Sequence, residues 1–388
     1  MSLDLWMKRL MGPSKRRFVK ILQGMVKMQR IFAFVMAALL LVAGCQAATS
    51  PSAEAPGRSA VETVDLSEIK RYLQANVQAL EEAASALAAA SDRYYALASE
   101  ANFDYAALWQ RRSAEAVEAL MAARTAWMTA SPLYEKVEGI VAGTPALATF
   151  DVILDAGASG EEDPENAAPI DLTLPDGRIL PRPGNLFGVT ESTLWGTDPD
   201  YVLADVTADW DGDGALGFGE VAPDANVLKG GADALYQYVV ELSQAVEAWE
   251  PTTAEAFTAL IVMTPTMSEY FASWRDSRFV AGEASTQRDF VAISRLADIQ
   301  DILGGLEVVY AQVRPLAETA NPEQAAQIAA GLSALKSFVA DIYAQEQAGR
   351  RYTPEEADIL GAEAQNRATA ITGQISQIAA ELGIELVE

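Results

Sequence analysis

The feature that most narrows the fold is a helical period that begins at Asp65 and returns along most of the chain. Ile69, Leu73, Leu80, Leu87, Tyr94 and Leu97 recur at steps of three, four or seven, which places them on one face of a helix. Asp65-Leu66-Ser67-Glu68 has the spacing of a capping box at its start. A second helix is expected from Asp104 past Trp109, Val117, Leu120 and Trp127, with Pro132 bending or restarting it before 133–141. Further helices are expected over about 226–249, 254–280, 288–319, 322–348 and 354–381, separated by Glu250-Pro251, Asn321-Pro322 and Thr353-Pro354. Their narrow, Ala-rich apolar stripes suit close antiparallel packing, so the expected fold is all-α.

Residues 143–225 interrupt this pattern. They are rich in Gly, Pro and Asp and lack the helical period. Within them 170–174 and 178–180 flank Pro175-Asp176-Gly177, which reads as a small β-hairpin. An irregular stretch of this length inside a compact domain is usually functional. The organisation expected is thus a helical domain over 64–388 carrying an insert at 143–225.

Composition removes whole classes of chemistry. Among 388 residues there is no histidine and one cysteine. A Ser-His-Asp or Cys-His nucleophile, a His-ligated zinc or haem and a histidine pH switch are excluded. So are an internal disulfide and an iron–sulfur cluster held by this chain alone. The formal charge of −26 argues against nucleic acid as a partner, because a phosphate backbone needs clustered Lys and Arg. Carboxylates, hydroxyls and backbone groups remain, and these are the ligands of hard cations.

Eight basic residues (Lys8, Arg9, Lys15, Arg16, Arg17, Lys20, Lys27, Arg30) precede an apolar run of 12 residues at 31–42, which meets Val42-Ala43-Gly44-Cys45. A basic stretch, a short apolar segment and a small-residue cleavage site read as a secretory signal over 1–44. A cysteine directly after Ala-Gly resembles the bacterial lipobox, which makes Cys45 the expected site of lipidation. Met28-Gln29-Arg30 would open a signal of ordinary length, so 1–27 reads as lying ahead of the true start. Without 1–44 the chain has 53 acidic against 20 basic residues, a formal charge of −33. The Ala/Ser/Pro-rich segment after Cys45, up to 63, reads as a flexible tether.

The strongest local motif runs from Asp209 to Glu220. Asp209, Asp211 and Asp213 stand at positions 1, 3 and 5 of a twelve-residue EF-hand loop, Gly214 at 6, Leu216 at 8 and Glu220 at 12. Ala215 would offer its carbonyl, Glu220 both oxygens, and Gly217 leaves a position for water. Pro199 and Pro223 spoil the flanking helices. The reading is an isolated, structural Ca²⁺ loop rather than an opening sensor pair.

A second row of acids carries a resemblance. Tyr134-Glu135-Lys136-Val137-Glu138 is followed by Phe150-Asp151-Val152-Ile153-Leu154-Asp155, and then by Phe187-Gly188-Val189-Thr190-Glu191-Ser192-Thr193-Leu194-Trp195. This order resembles the imelysin-like family, which includes the periplasmic Efe-type iron-uptake proteins. Glu135, Glu138, Asp151, Asp155, Glu191 and Trp195 fall on matching positions. The resemblance implies an all-α fold of two related four-helix bundles and a metal site at a His-x-x-Glu pair. The family histidine falls at Gly188, so the site it implies here is all oxygen: Glu138, Asp155 and Glu191 first, Glu135 and Asp151 second. Such a site favours ferric iron, calcium, manganese or magnesium over zinc or copper. The competing reading is that these carboxylates cap helices or pair with arginines such as Arg178 or Arg278. Arg278 and Arg295, in two Ser-Arg-apolar triplets, read more readily as solvent-facing than as buried partners of these acids.

Three functions follow from these readings. The first is a lipid-anchored, extracytoplasmic metal-binding protein of the bacterial cell envelope that assists capture or uptake of iron or another hard cation, with a membrane permease or other envelope protein as partner. The second is a non-catalytic interaction or structural surface lipoprotein whose metal site has degenerated. The third, a metallopeptidase-like hydrolase, needs a ligated metal with an open position and a nearby base, which the missing histidine disfavours. No catalytic residue is assigned.

Overall fold

The computed structural model describes residues 64–387 apart from 208, 211 and 212. The expected signal over 1–44, Cys45, the tether and Asp211 therefore lie outside the described residues. Among the described residues no helix is long and apolar enough to cross a membrane.

The expected all-α architecture is what the chain adopts. Helix α1 (Ser67–Glu100) buries Ile69, Leu73, Val77, Leu80, Ala84, Leu87, Tyr94 and Ala98, the face that the period assigned to it. The capping box at its start does not form. Asp65 instead accepts from the backbone N–H of Ser67 at 2.9 Å, while Glu68 pairs with Arg71 at 2.7 Å. After α1 the backbone turns at Asn102 and Phe103, both with positive φ, and Asp104 caps α2 (Tyr105–Val141) by accepting from Ala107. Pro132 neither ends nor restarts α2. The carbonyl left without an N–H partner by the ring belongs to exposed Met128, where water can serve it. The non-helical backbone lies at Arg112 instead.

A four-residue turn of helix, α3 (Ala148–Asp151), runs on into a π-helical turn (Val152–Ala156). The hairpin is present: β1 (Asp171–Thr173) pairs antiparallel with β2 (Ile179–Pro181), Leu172 opposite Leu180, and Gly177 takes a φ of +86° in the turn. Next come α4 (Leu186–Trp195), β3 (Val202–Thr207) and β4 (Val221–Pro223), the two strands pairing antiparallel on either side of the 209–220 loop. This second pair was not expected from the sequence.

The back half consists of α5 (Ala225–Ala248), α6 (Thr253–Met263), α7 (Met267–Asp276), α8 (Arg295–Ala320), α9 (Pro322–Gln347) and α10 (Pro354–Leu382). The helix expected over 254–280 is broken at Thr264-Pro265, and that expected from 288 starts only at Arg295, after a cap by Ser294. Helices α1, α2, α4 and α5 pack together as one bundle; α6 to α10 form the other, with α8 against α9 and α7 against α10. Helix α2 also lies along α8 and joins the two. One apolar core runs through both, and a smaller one (Leu172, Leu174, Val189, Tyr201, Val227) sits beneath the hairpin.

Two glycines explain how closely α2 and α8 approach. A Cβ on Gly305 would stand 2.5 Å from the Lys136 carbonyl, and one on Gly139 would stand 3.1 Å from the Leu306 side chain. The flanking acids of α2 are thereby pressed against the first turns of α8.

Candidate metal centre

Glu135 and Glu138, three apart on α2, face the same way. They meet Asp151 and Asp155 from α3 and its π-turn, Arg295 and Asp298 from the first turn of α8, and Tyr270 from α7. Glu135, Glu138, Asp155 and Asp298 are each less than 5% exposed, and Asp151 and Arg295 little more. Among the described residues, Glu135, Glu138 and Asp155 are the group of three acids whose ligand atoms lie within 4.8 Å of one another.

The hydrogen bonds divide this centre unevenly. Tyr270 donates to Glu138 Oε1 at 2.6 Å, and Tyr134 donates to Asp151 Oδ1 at 2.8 Å. Arg295 Nη1 stands 3.3 Å from Glu135 Oε1 and 3.2 Å from Asp298 Oδ2. Its Nη2 lies 3.7 Å from Asp155 Oδ2, an ion-pair separation too long for a hydrogen bond. Glu138 Oε2 and Asp155 Oδ2 are thus buried oxygens with no donor. The guanidinium lies over Phe290 (3.8 Å) and Tyr270 (4.8 Å), which fixes its plane.

Five carboxylates face one guanidinium, and burial together with their mutual repulsion raises Glu135, Asp151, Asp155 and Asp298. Burial, and then Asp298, Glu138 and Asp155, push Glu135 well above its ordinary value against the pull of Arg295. Burial likewise raises Asp155 well above the usual range. Burial followed by Glu138 lifts Asp151 to about 7, and burial lifts Asp298 to about 6 although Arg295 opposes it. Burial disfavours the charge on Arg295, but Glu135, Asp298, Asp155 and Glu138 outweigh it and hold the group cationic. Tyr134 and Tyr270 are raised mainly by burial and remain donors.

Glu191 is placed elsewhere. From α4 it accepts three backbone N–H groups, those of Phe290 (2.6 Å), Val291 (2.9 Å) and Ala292 (2.7 Å). Burial raises it to about 8 even though those three bonds favour the carboxylate. Its geometry is that of a clamp on the segment leading into α8, which sets the position of Arg295. Of the five acids singled out in the sequence, Glu135, Glu138 and Asp155 converge, Asp151 stands beside them on Tyr134, and Glu191 holds the backbone opposite. Helix α4 is itself fixed to α2: Trp127 Nε1 donates to Thr190 Oγ1 at 3.1 Å, and Arg124 donates to the Leu194 carbonyl at 2.7 Å.

Arg178 and Arg278 do not reach this centre. Arg178 pairs with Asp176 and Asp224, and Arg278 lies over Phe218. The solvent-facing reading of Arg295 is corrected: it is the buried counter-ion. One sequence signal pointed to it. A cation in the first turn of a helix opposes the helix dipole, so Arg295 directly after the Ser294 cap calls for nearby anions. Asp298, Tyr270 and Tyr134 carried no comparable signal.

In the 209–220 loop, Asp209 accepts from Asp213 (3.2 Å) and Gly214 (2.8 Å), and Asp213 accepts from Ala215 (2.8 Å). Glu220 folds back to accept from Trp210 (2.5 Å) and Gly217. Arg124 donates to the Gly219 carbonyl and lies 4.4 Å from the Trp210 ring, so the loop is tied to α2.

The fold and this centre define a class: a helical protein of two joined bundles with a buried carboxylate group at their seam, able to hold a metal. The chain belongs to the imelysin family, whose family model (peptidase M75) matches residues 67–378. No curated protein gives a significant match.

Proposed function

We propose that Glu135, Glu138 and Asp155 hold a hard cation, and that the protein is an extracytoplasmic cation-binding protein, anchored by lipid at Cys45, which assists capture or uptake of iron. The observation that carries this reading is the pair of donorless buried oxygens, Glu138 Oε2 and Asp155 Oδ2, beside Glu135. A buried acceptor left unpaired costs about 1–3 kcal/mol, more when charged, and a cation satisfies both at once. The donors are all oxygen, which fits ferric iron, manganese, magnesium or calcium. With no histidine to complete a zinc site, binding rather than hydrolysis is the reading adopted. An acidic exported chain raises the local cation concentration, and a membrane permease or other envelope protein is the partner this role needs. The 209–220 loop is proposed as a separate Ca²⁺ site through Asp209, Asp211, Asp213, Ala215 and Glu220.

Arg295 favours a second reading. It already supplies one positive charge to Glu135 and Asp155, as expected of a degenerate site in an interaction or structural lipoprotein. Titration calorimetry with Mn²⁺ and with ferric citrate separates the two. The cation reading expects saturable binding that Glu138→Gln removes. Equal binding by wild type and Glu138→Gln, or none by either, leaves the structural reading.

A further inference from the structure

Among the buried side-chain oxygens without donors are Gln287 Oε1, Asp155 Oδ2 and Glu138 Oε2. Gln287 lines an open cleft of about 260 Å³, with Glu162, Asp198, Arg288 and Asp289 among its walls. Behind it Asp155 lines a small cavity of about 10 Å³, together with Trp127 and Glu191. Glu138 then shares the buried carboxylate group with Asp155. Cleft and cavity have Asn185, Gly188 and Asp289 in common, so they meet at these residues.

Gly188 stands at that junction without a side chain. A Cβ there would stand 3.0 Å from Asn185 Oδ1 and 3.3 Å from Asp289 Oδ2, so any side chain at this position must press on both. The walls carry a surplus of acid: Glu162, Asp198 and Asp289 against Arg288, which is already engaged by Glu162 at 2.7 Å and Asp198 at 2.6 Å. Acidic walls around a narrowing cleft concentrate cations and repel anions. The inner cavity has room for about one water-sized sphere, so an ion passing it exchanges most of its hydration shell for protein oxygens.

Resting on the cation reading above, we infer that single hard cations reach Glu135, Glu138 and Asp155 from this cleft, passing Gly188 where Asn185 and Asp289 line both hollows. Gly188 then governs the rate of exchange and not the strength of binding. A cation carried in a bulky chelate must leave its chelator in the cleft.

Stopped-flow mixing with Tb³⁺ tests this, because Trp127 in the inner cavity can sensitise its emission. The signal belonging to the carboxylate group is the component that Glu138→Gln removes; the 209–220 loop contributes one that Glu138→Gln keeps. For the first component, Gly188→Leu should slow both association and dissociation by about tenfold or more, with Kd unchanged within about threefold. Gly188→Ala adds one carbon, which the Asn185 amide and the Asp289 carboxylate can accommodate by small shifts. It should slow both by a smaller factor, and serves if the leucine variant does not fold. Unchanged rates in folded Gly188 variants overturn the route, as does a weakened Kd with unchanged association. If wild type shows no Glu138-dependent component, the cation reading itself falls and the route falls with it.

Discussion

Glu135 and Arg295 are 160 positions apart in sequence, yet they meet at 3.3 Å with 2% and 5% of their surfaces exposed. The pair ties α2 to the first turn of α8, and it gives the carboxylate centre a resident positive charge that no solvent ion can displace by simple exchange. A cation held by Glu135, Glu138 and Asp155 shares two of its ligands with Arg295, so the guanidinium weakens its hold. A centre of that kind suits binding and release better than permanent retention.

Removing the guanidinium should expose this balance. In chelator-treated protein, Arg295→Met leaves buried carboxylates without their partner and should lower stability by about 3–5 kcal/mol in urea unfolding. Added Mn²⁺ should restore a larger part of the loss than it adds to wild type, because a dication can take over the vacated charge. If Mn²⁺ stabilises both proteins equally, Arg295 and the cation do not share ligands.

The centre also predicts a direction for pH. Asp151 is raised to about 7 in the fold, against about 3.9 in an unfolded chain. A carboxyl raised on folding binds its proton more tightly in the folded state. Its contribution to stability is therefore complete below pH about 4 and is lost as pH rises through about 7. Metal-free wild type should lose stability relative to Asp151→Asn between those limits, since the amide does not titrate. Paired melting curves across this range measure the difference; a gap that stays constant with pH would falsify the assignment.

The clamp at Glu191 can be read by hydrogen exchange. Glu191→Ala leaves the N–H groups of Phe290, Val291 and Ala292 without an acceptor. Protection of residues 290–292 should fall, and stability should fall by about 1–3 kcal/mol. Unchanged protection there would mean that the segment is held by other contacts.

What the sequence made legible, and what it hid, follows from range. The face of α1 from Ile69 to Tyr94 and the Asp176-Gly177 turn are set by neighbours a few residues away, so period and turn chemistry suffice. The start of α8 is not local. Residues 288–294 have helix-compatible composition, but their backbone is captured by Glu191, about a hundred positions earlier, and Phe290 takes a φ of +54°. Glu135, Glu138, Asp151 and Asp155 could be named because they recur in one motif order, whereas Asp298 lies outside that motif. Arg295 after its Ser294 cap signals nearby anions, but which acids it meets is hidden, because the approach of α2 to α8 depends on Gly139 and Gly305, whose packing no local pattern reveals.

That approach gives a further prediction. A methyl group on Gly305 would stand 2.5 Å from the Lys136 carbonyl, and backbone cannot move aside as a flexible side chain can. Gly305→Ala should therefore destabilise the protein by about 1–3 kcal/mol, although alanine is the better helix former by about 1 kcal/mol. The same substitution at Gly373, where an added Cβ meets nothing within 4 Å, should stabilise. Denaturation of the two variants side by side distinguishes a packing effect from helix propensity; stabilisation by both would show that α2 and α8 have room to spare.

The 209–220 loop carries the last prediction. Its acids now accept backbone N–H groups, as Asp209 does from Gly214 and Glu220 from Trp210. These bonds bend the loop back on itself; Ca²⁺ takes six to eight oxygen ligands, so on binding these carboxylates would exchange N–H donors for the ion. If Ca²⁺ binds the folded loop only, a concentration a hundredfold above Kd adds about 2.7 kcal/mol to stability. Arg124 ties the loop to α2 and α4 through the carbonyls of Gly219 and Leu194, so the gain should appear in the unfolding of the whole domain. Asp213→Ala should abolish that gain while leaving the Glu138-dependent binding of Mn²⁺ intact. Calorimetric melting with and without Ca²⁺ reads the first, and titration with Mn²⁺ reads the second. A Ca²⁺ effect that survives in Asp213→Ala, or that disappears in Glu138→Gln, would place the calcium at the carboxylate centre instead of the loop.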